Sequence, residues 1–461
     1  MWFSITAANG KLARKLAKSR LCRGYLKLGA IDLNLTKKVK KLGTAVFFEL
    51  KSANRMNPNI MIFVMYGMLF DLGANIYRPF AAKYLTRIGG DAFHIALLNA
   101  LPWLAAAFVL IPGSFLLSKA KNSKRITCML IFSSRMLLFL AVFIPTLPPE
   151  FMPFAFIGIM TLLHIPESLS QASLQSIVGT VLTGSQRPIA IGIRNKFGQF
   201  CILIASITTG VIISYVPQTE AQTLLLYQIF FGVVFLIGIM EIYIFSRFKL
   251  PERDENSEIP ERKFFDIFKT IKDKRFMKFT ITIMVFHLTW MGAFPLFALL
   301  QIDRLGANEL WIAISAACNG ISAILSASFW TRFINKNGNH KALAISTCMM
   351  GISVLLFMTA QNVAMLSMIS LFSGFSVMGT TTTIFNGLLG ATPDEDRMTY
   401  IGVYSSLIHL AQFTGPFIGL LFLNLFGLLW AMAIFGMLRM AASGLIYLVC
   451  RPERSTVSDY K

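Results

Sequence analysis

Two carboxylates, Asp71 and Glu167, stand inside long runs of apolar residues. A carboxylate so placed can couple protonation to conformation, because low dielectric favours its neutral form while an approaching cation or water favours the ionised one. Asn75 and Arg78 follow Asp71 by one and two helical turns, and Arg78 is either an interfacial anchor or a cavity residue. Arg135 lies in an equally apolar run. Beside Glu167, the residues His164, Ser168, Gln171 and Gln175 are spaced i, i+4, i+7 and i+11, which lines them along one helical face. A polar stripe cannot face lipid, so it serves either as hydrogen-bonding glue between helices or as the wall of a water-filled cavity. Pro166, which opens the backbone in the same turn, favours the cavity. Asn195, Gln199, Ser206 and Thr209 repeat the idea, and Arg194, Lys196 and Glu241 are read as snorkelling toward a nearby helix end. Later in the chain the polar residues at depth are uncharged: His287 with Trp290, Asn319, Asn386, and His409 with Gln412, each equally readable as glue or as ligand contact. Arg439 is a further buried cation, expected to bond an acid or backbone carbonyls. No H-E-x-x-H, G-x-S-x-G, P-loop or Cys/His cluster occurs, so no metal, cofactor or catalytic residue is assigned and an ATP-driven pump is set aside. The six cysteines are scattered, without a C-x-x-C pair, and are read as packing residues.

Elements that hold such residues at depth must cross a bilayer. The chain has 461 residues, 55% hydrophobic and only 14% charged, against about 25% charged in soluble domains. Apolar stretches of about 20 residues, enough to span a hydrocarbon core of about 30 Å, recur from Asn59 to Cys450. Continuous rather than alternating apolar runs select helices over a barrel. Twelve spans are expected, near 59–86, 92–117, 126–147, 151–182, 188–215, 222–246, 277–302, 309–333, 342–360, 363–391, 398–426 and 428–450. Asp71 lies about 18 Å into the first, at 1.5 Å per residue, and so near the midplane.

The formal net charge of +21 is a topology signal rather than a nucleic-acid signal, since 35 of the 43 Lys and Arg residues fall on segments expected at one face. That rule places both termini and the long loop between spans 6 and 7 in the cytoplasm, and the protein is expected as a monomer in the plasma (cell inner) membrane. Residues 1–55 form a basic amphipathic extension, with Leu35, Val39, Leu42, Val46 and Leu50 on one face and Lys37, Lys38, Lys40 and Lys41 on the other. They are expected to lie on anionic headgroups as helix, a transit peptide being the alternative. The expected organisation is therefore the extension 1–55, a first six-helix bundle 56–246, a linker 247–275, a second bundle 276–450 and a tail 451–461.

The halves repeat one another. Phe80 to Ala100 aligns with Phe297 to Ala317 at an offset of 217 with seven identities in 21 positions, including Arg87/Arg304 and Gly89/Gly306, and Arg187, Ile191 and Gly192 match Arg397, Ile401 and Gly402 at an offset of 210. With Gly-Ala-Thr-Pro-Asp-Glu-Asp-Arg ending at Arg397, Gly415-Pro416-x-x-Gly419, and a glycine and basic cluster from Gly113 through Lys121 to Arg125, the chain resembles the major facilitator superfamily over 58–450. The basic loop lacks that family's usual aspartate, its counterpart near Arg332 is equally degenerate, and the glycine-proline motif stands in span 11 rather than span 5.

The resemblance implies an all-α membrane protein of two pseudo-symmetric six-helix bundles, with loops around Gly113, Lys121, Arg125, Arg187, Arg332 and Arg397 that gate the movement. It implies a secondary active transporter of a small organic solute working by alternating access, and not an enzyme. A lipid or glycolipid flippase and a transport-inactive scaffold or receptor are the alternatives. Protons are the expected coupling partner. Span 1 lines the cavity in the resembling family, so Asp71 is the expected proton-responsive site, with Asn75 bonding its protonated form. Arg135 is expected to hold one of the two deep acids ionised in a structural ion pair.

Overall fold

The computed structural model describes residues 55–118, 122–183, 186–250, 270–393 and 397–450. The basic extension up to residue 54, most of the central loop, the tail after 450, Lys121 and the side chain of Arg397 lie outside the described residues. Among those described, all regular structure is helical, and 12 spans are long and apolar enough to cross a membrane. They are Pro58–Arg87, Ala92–Val109, Ser123–Thr146, Met152–Val181, Ile189–Tyr215, Glu220–Ser246, Lys274–Arg304, Glu309–Asn337, Asn339–Met358, Val363–Ala391, Tyr400–Phe426 and Leu428–Val449, numbered here as spans 1 to 12.

Local chemistry explains where the spans begin and bend. Asn122, Thr219, Asp273, Asn308 and Asn362 open spans 3, 6, 7, 8 and 10, each side chain accepting from a backbone N–H two or three residues on. Those N–H groups have no intrahelical partner, and a short polar side chain at the N-cap supplies one. The repeated Arg-x-Gly has the same physical cause in both halves: Gly89 and Gly306 take φ of 91° and 60°, a left-handed turn that side chains with a Cβ rarely adopt. Span 1 tightens into a 3-10 turn at Arg78–Phe80, where Pro79 stands, and span 7 breaks between Gly292 and Phe294 just before Pro295. Proline lacks the N–H that would continue the ladder, so each break leaves carbonyls open for other donors.

The helices pack as 2 on 4, 3 on 4 and 3 on 6 among the first six, and as 8 on 10, 9 on 10 and 9 on 12 among the last six. Adding six to each number converts one set into the other. Spans 2 and 11, and spans 5 and 8, pair across the halves and exchange under the same operation. The loops therefore gather at two ends: a basic end, holding the connections 3–2, 4–5, 6–7, 8–9 and 10–11, and a far end holding the rest. At the far end one apolar core joins both halves, packing Tyr84, Phe156 and Phe231 with Leu299, Ile312 and Ala313. Toward the basic end a separate core around Phe276, Phe286, Leu343 and Tyr400 draws all its described members from the last six spans.

Candidate functional site

Charge at depth is concentrated in the first six spans and arranged as three ion pairs. Arg78 donates to Glu167, joining spans 1 and 4. Arg194 donates to Asp71 Oδ1 at 3.0 Å, joining spans 1 and 5. Arg135 Nη2 donates to both oxygens of Glu241 at 2.9 and 3.0 Å, joining spans 3 and 6, with side chains 2% and 0% exposed. Phe70 lies between two of these cations, its ring 5.8 Å from the Arg78 guanidinium and 5.4 Å from that of Arg135. Such contacts place the face of an aromatic quadrupole against positive charge. Around the pairs, Gln171 donates to the Tyr66 hydroxyl at 3.3 Å, and glycines at 67, 198 and 238 sit where a Cβ would strike Arg194, Asp71 or Arg135.

These pairings correct several expectations. Arg135 holds neither Asp71 nor Glu167; its partner is Glu241, which is fully buried instead of snorkelling. Arg194 likewise turns inward to Asp71. Depth along a helix does not specify the direction in which a side chain leaves it, and an unpaired charge at depth costs at least a few kcal/mol, so burial with a partner outcompetes the longer route to the interface. Asn75 donates to the Asp71 backbone carbonyl at 2.8 Å, one turn back on its own helix, and not to the carboxylate. Among the described residues Arg439 meets no acid: it donates to the carbonyls of Met350 at 3.2 Å, Thr289 at 3.1 Å and Trp290 at 3.3 Å. The latter two belong to the last turn of the helix Lys274–Gly292, whose carbonyls lack intrahelical donors and carry the negative end of the helix dipole.

At mid-depth the two halves meet through aromatic and imidazole rings. Trp103 of span 2 lies 5.3 Å from His164 of span 4 and 5.4 Å from His409 of span 11, centroid to centroid. Beside them a cavity of about 240 Å³ is lined by spans 7, 10 and 11, with His287, Trp290 and Gln412 among its walls. Gln199 is half-buried and faces Gly320 of span 8, while Gln175, Asn195 and Asn386 are exposed toward the basic ends of their spans. Asn195 accepts from Arg194 at 3.2 Å. Asn319 is half-buried, with Gly374 of span 10 packed on its backbone.

Of the residues expected to gate, Gly113 lies within the helix Ala92–Ser118, where it lets Leu169 of span 4 approach. Arg125 is exposed in the first turn of span 3. Arg187 donates to the carbonyls of Leu182 at 3.0 Å and of Gly179, at the end of span 4, and Arg332 bonds Ser328 on its own helix at 3.3 Å. The contact between halves that sequence reasoning missed is at the far end. Arg87 donates to Glu220 and, at 2.8 Å through Nε, to Glu309 Oε1; the Tyr227 hydroxyl donates to the same oxygen at 3.1 Å. Glu309, at the start of span 8, is only 1% exposed. Arg87 had a signal, its recurrence as Arg304, but nothing in the sequence pairs it with an acid 222 residues away. Ser214 and Leu310 add a bond of 3.0 Å at the same end.

Comparison with known proteins agrees with this arrangement. The sequence matches the family model described as Major Facilitator Superfamily over residues 62–391 and again over 279–460. Searching curated proteins finds no match. Among solved structures, the nucleoside transporter NupG (D323A mutant) superposes with a TM-score of 0.65 at 12% identity, covering 85% of this chain and 100% of that one. A bacterial homolog of the human lysosomal transporter Spinster, inward-facing and unoccupied, gives 0.62 at 13% over 85% and 96%. A POT family transporter in complex with a thioalcohol-conjugated peptide gives 0.62 at 13% over 85% and 95%. At these identities the likeness is one of fold.

Proposed function

Since the chain belongs to the Major Facilitator Superfamily, we propose that it is a secondary transporter that moves a small organic solute by alternating access, with the halves rocking about a midplane site. The observation that carries this reading is the meeting of both halves at Trp103, His164 and His409 beneath a far end tied by Arg87 and Glu309. A carrier that loads from its basic side needs a seal on the other side and polar groups converging at mid-depth. The basic end is the cytoplasmic one on the positive-inside rule, the two sets of six spans, 56–246 and 276–450, are the rocking bodies, and the protein acts as a monomer in the plasma membrane.

Proton coupling is assigned to Asp71. One of its carboxylate oxygens is bonded to Arg194 and the other is buried without a partner. Its cation sits on span 5 of the same body with a side chain 25% exposed, so a solute or water that reaches Arg194 is positioned to loosen the pair and let the acid bind a proton. Glu167 and Arg78 are assigned a binding and structural role.

The test is a reversible lock. A Cβ at Gly210 would lie 2.8 Å from the Ala313 Cβ at the far end, within reach of a disulfide after slight adjustment. Gly210→Cys with Ala313→Cys, in a background free of the native cysteines, is reconstituted in proteoliposomes and offered a metabolite mixture, with uptake followed by mass spectrometry. Oxidation is expected to abolish solute exchange and reduction to restore it. Exchange that continues at full rate in the oxidised protein would sink the alternating-access reading.

A further inference from the structure

The cavity between spans 7, 10 and 11 has a composition that selects a ligand. Its volume of about 240 Å³ compares with about 150 Å³ for an apolar cavity that takes up one benzene, so it accommodates a ring system of one to two rings. Trp290, Phe385 and Tyr404 supply aromatic faces, and Met291, Ile384 and Leu388 fill the rest of the wall. Aromatic pairs in offset or edge-on contact gain beyond the area they bury.

Among the polar groups of the wall, which include Thr381 and Tyr404, His287 and Gln412 set the chemistry of the ring's edge. His287 Nδ1 lies 3.0 Å from the Ile283 carbonyl. A carbonyl can only accept, so Nδ1 carries the hydrogen and the neutral ring offers Nε2 as an acceptor. Gln412 Oε1 is buried without a partner and can accept. The polar edge of the site thus offers acceptors at His287 and Gln412.

Charge is excluded from both directions. Among the described residues no ionised side chain lines the cavity, so neither a carboxylate nor an ammonium would meet a counter-charge there.

We propose that this cavity is the subsite for an uncharged aromatic or heteroaromatic ring bearing N–H or O–H donors, held edge-on by His287 and Gln412 and face-on by Trp290. The assignment rests on reading the chain as a carrier and names the class of solute it takes. It is tested on the purified full-length protein by equilibrium dialysis against detergent-matched blanks, with indole and benzimidazole as the probes. Both are expected to bind saturably, 1-methylindole and 1-methylbenzimidazole at least tenfold more weakly, and indole-3-carboxylate and tryptamine more weakly still. Gln412→Leu should narrow the preference for indole over 1-methylindole, and Trp290→Ala should weaken both rings alike. Trp290→Phe, which keeps an aromatic face, guards against a folding defect and should retain most of the affinity. Equal binding of the methylated and unmethylated rings to the wild type, or preferred binding of either charged analogue, overturns the proposal. The disulfide lock reports separately: exchange that obeys the lock while neither ring binds removes the ring subsite and leaves the carrier, whereas exchange that ignores the lock removes the carrier itself.

Discussion

Glu241 and Arg135 form the most deeply buried ion pair among the described residues, and its energetics are asymmetric. Removing both charges for apolar groups of similar volume is often neutral, whereas removing one leaves the other uncompensated at a cost of about 3–5 kcal/mol. Glu241→Ala is therefore expected to lower the melting temperature in detergent sharply, and Glu241→Leu with Arg135→Met to recover most of the loss. A double variant as unstable as the single one would show that the pair does more than neutralise itself. Asp71 and Glu167 share the pattern of one bonded and one unpartnered oxygen, so function has to separate them. Asp71→Asn should abolish proton-driven accumulation yet leave exchange without a gradient largely intact, while Glu167→Gln should mainly reduce stability or binding. Uphill transport with normal pH dependence in Asp71→Asn would move the coupling elsewhere.

Among the elements, span 7 depends most on its neighbours. Its break exposes carbonyls that Arg439 of span 12 binds from one side, while from the other Gly419 of span 11 comes so close that a Cβ there would lie 2.0 Å from the Gly292 carbonyl oxygen. The glycine-proline motif of span 11 thus has a packing role: Gly415 and Gly419 both seat the helix against the break. Substituting Gly419→Val should destabilise the fold by about 1–3 kcal/mol through overpacking. Gly444→Ala, where a Cβ meets nothing within 4 Å, should be neutral or slightly stabilising because alanine is the better helix former. Comparable melting temperatures for the two variants would refute the role given to the motif.

On the scale of the whole molecule, the far-end tie sets the balance between states. A hydrogen bond to a charged group contributes about 1.5–3 kcal/mol, so Glu309→Gln should lower the ratio of far-end-closed to far-end-open protein by at least about tenfold. The yield of the Gly210→Cys/Ala313→Cys disulfide at short oxidation times should fall with it. Glu220→Gln should change that yield little, since the Glu220 side chain is 57% exposed and exposed pairs contribute about 0–1 kcal/mol. Equal yields in all three proteins would mean that the apolar core, and not the ion pair, keeps this end closed.

Twelve spans, their order and the repeat were legible in the amino-acid sequence because each depends on local properties: apolar length sets what crosses a bilayer, Asn and Asp open helices, and the recurring glycines at 89 and 306 mark left-handed turns. Depth was legible too, since it is a count of residues along a helix, and it singled out Asp71, Glu167, Arg135 and Arg439. Partners were not. Which way a side chain points around its helix, and which helix it then meets, depends on packing between segments far apart in the chain, so Arg135 with Glu241, Arg194 with Asp71, Arg78 with Glu167 and Arg87 with Glu309 emerged only from the tertiary structure. The same holds for the ring cavity: His287, Trp290 and Gln412 are isolated polar letters in separate apolar runs, and only the juxtaposition of spans 7, 10 and 11 turns them into one wall.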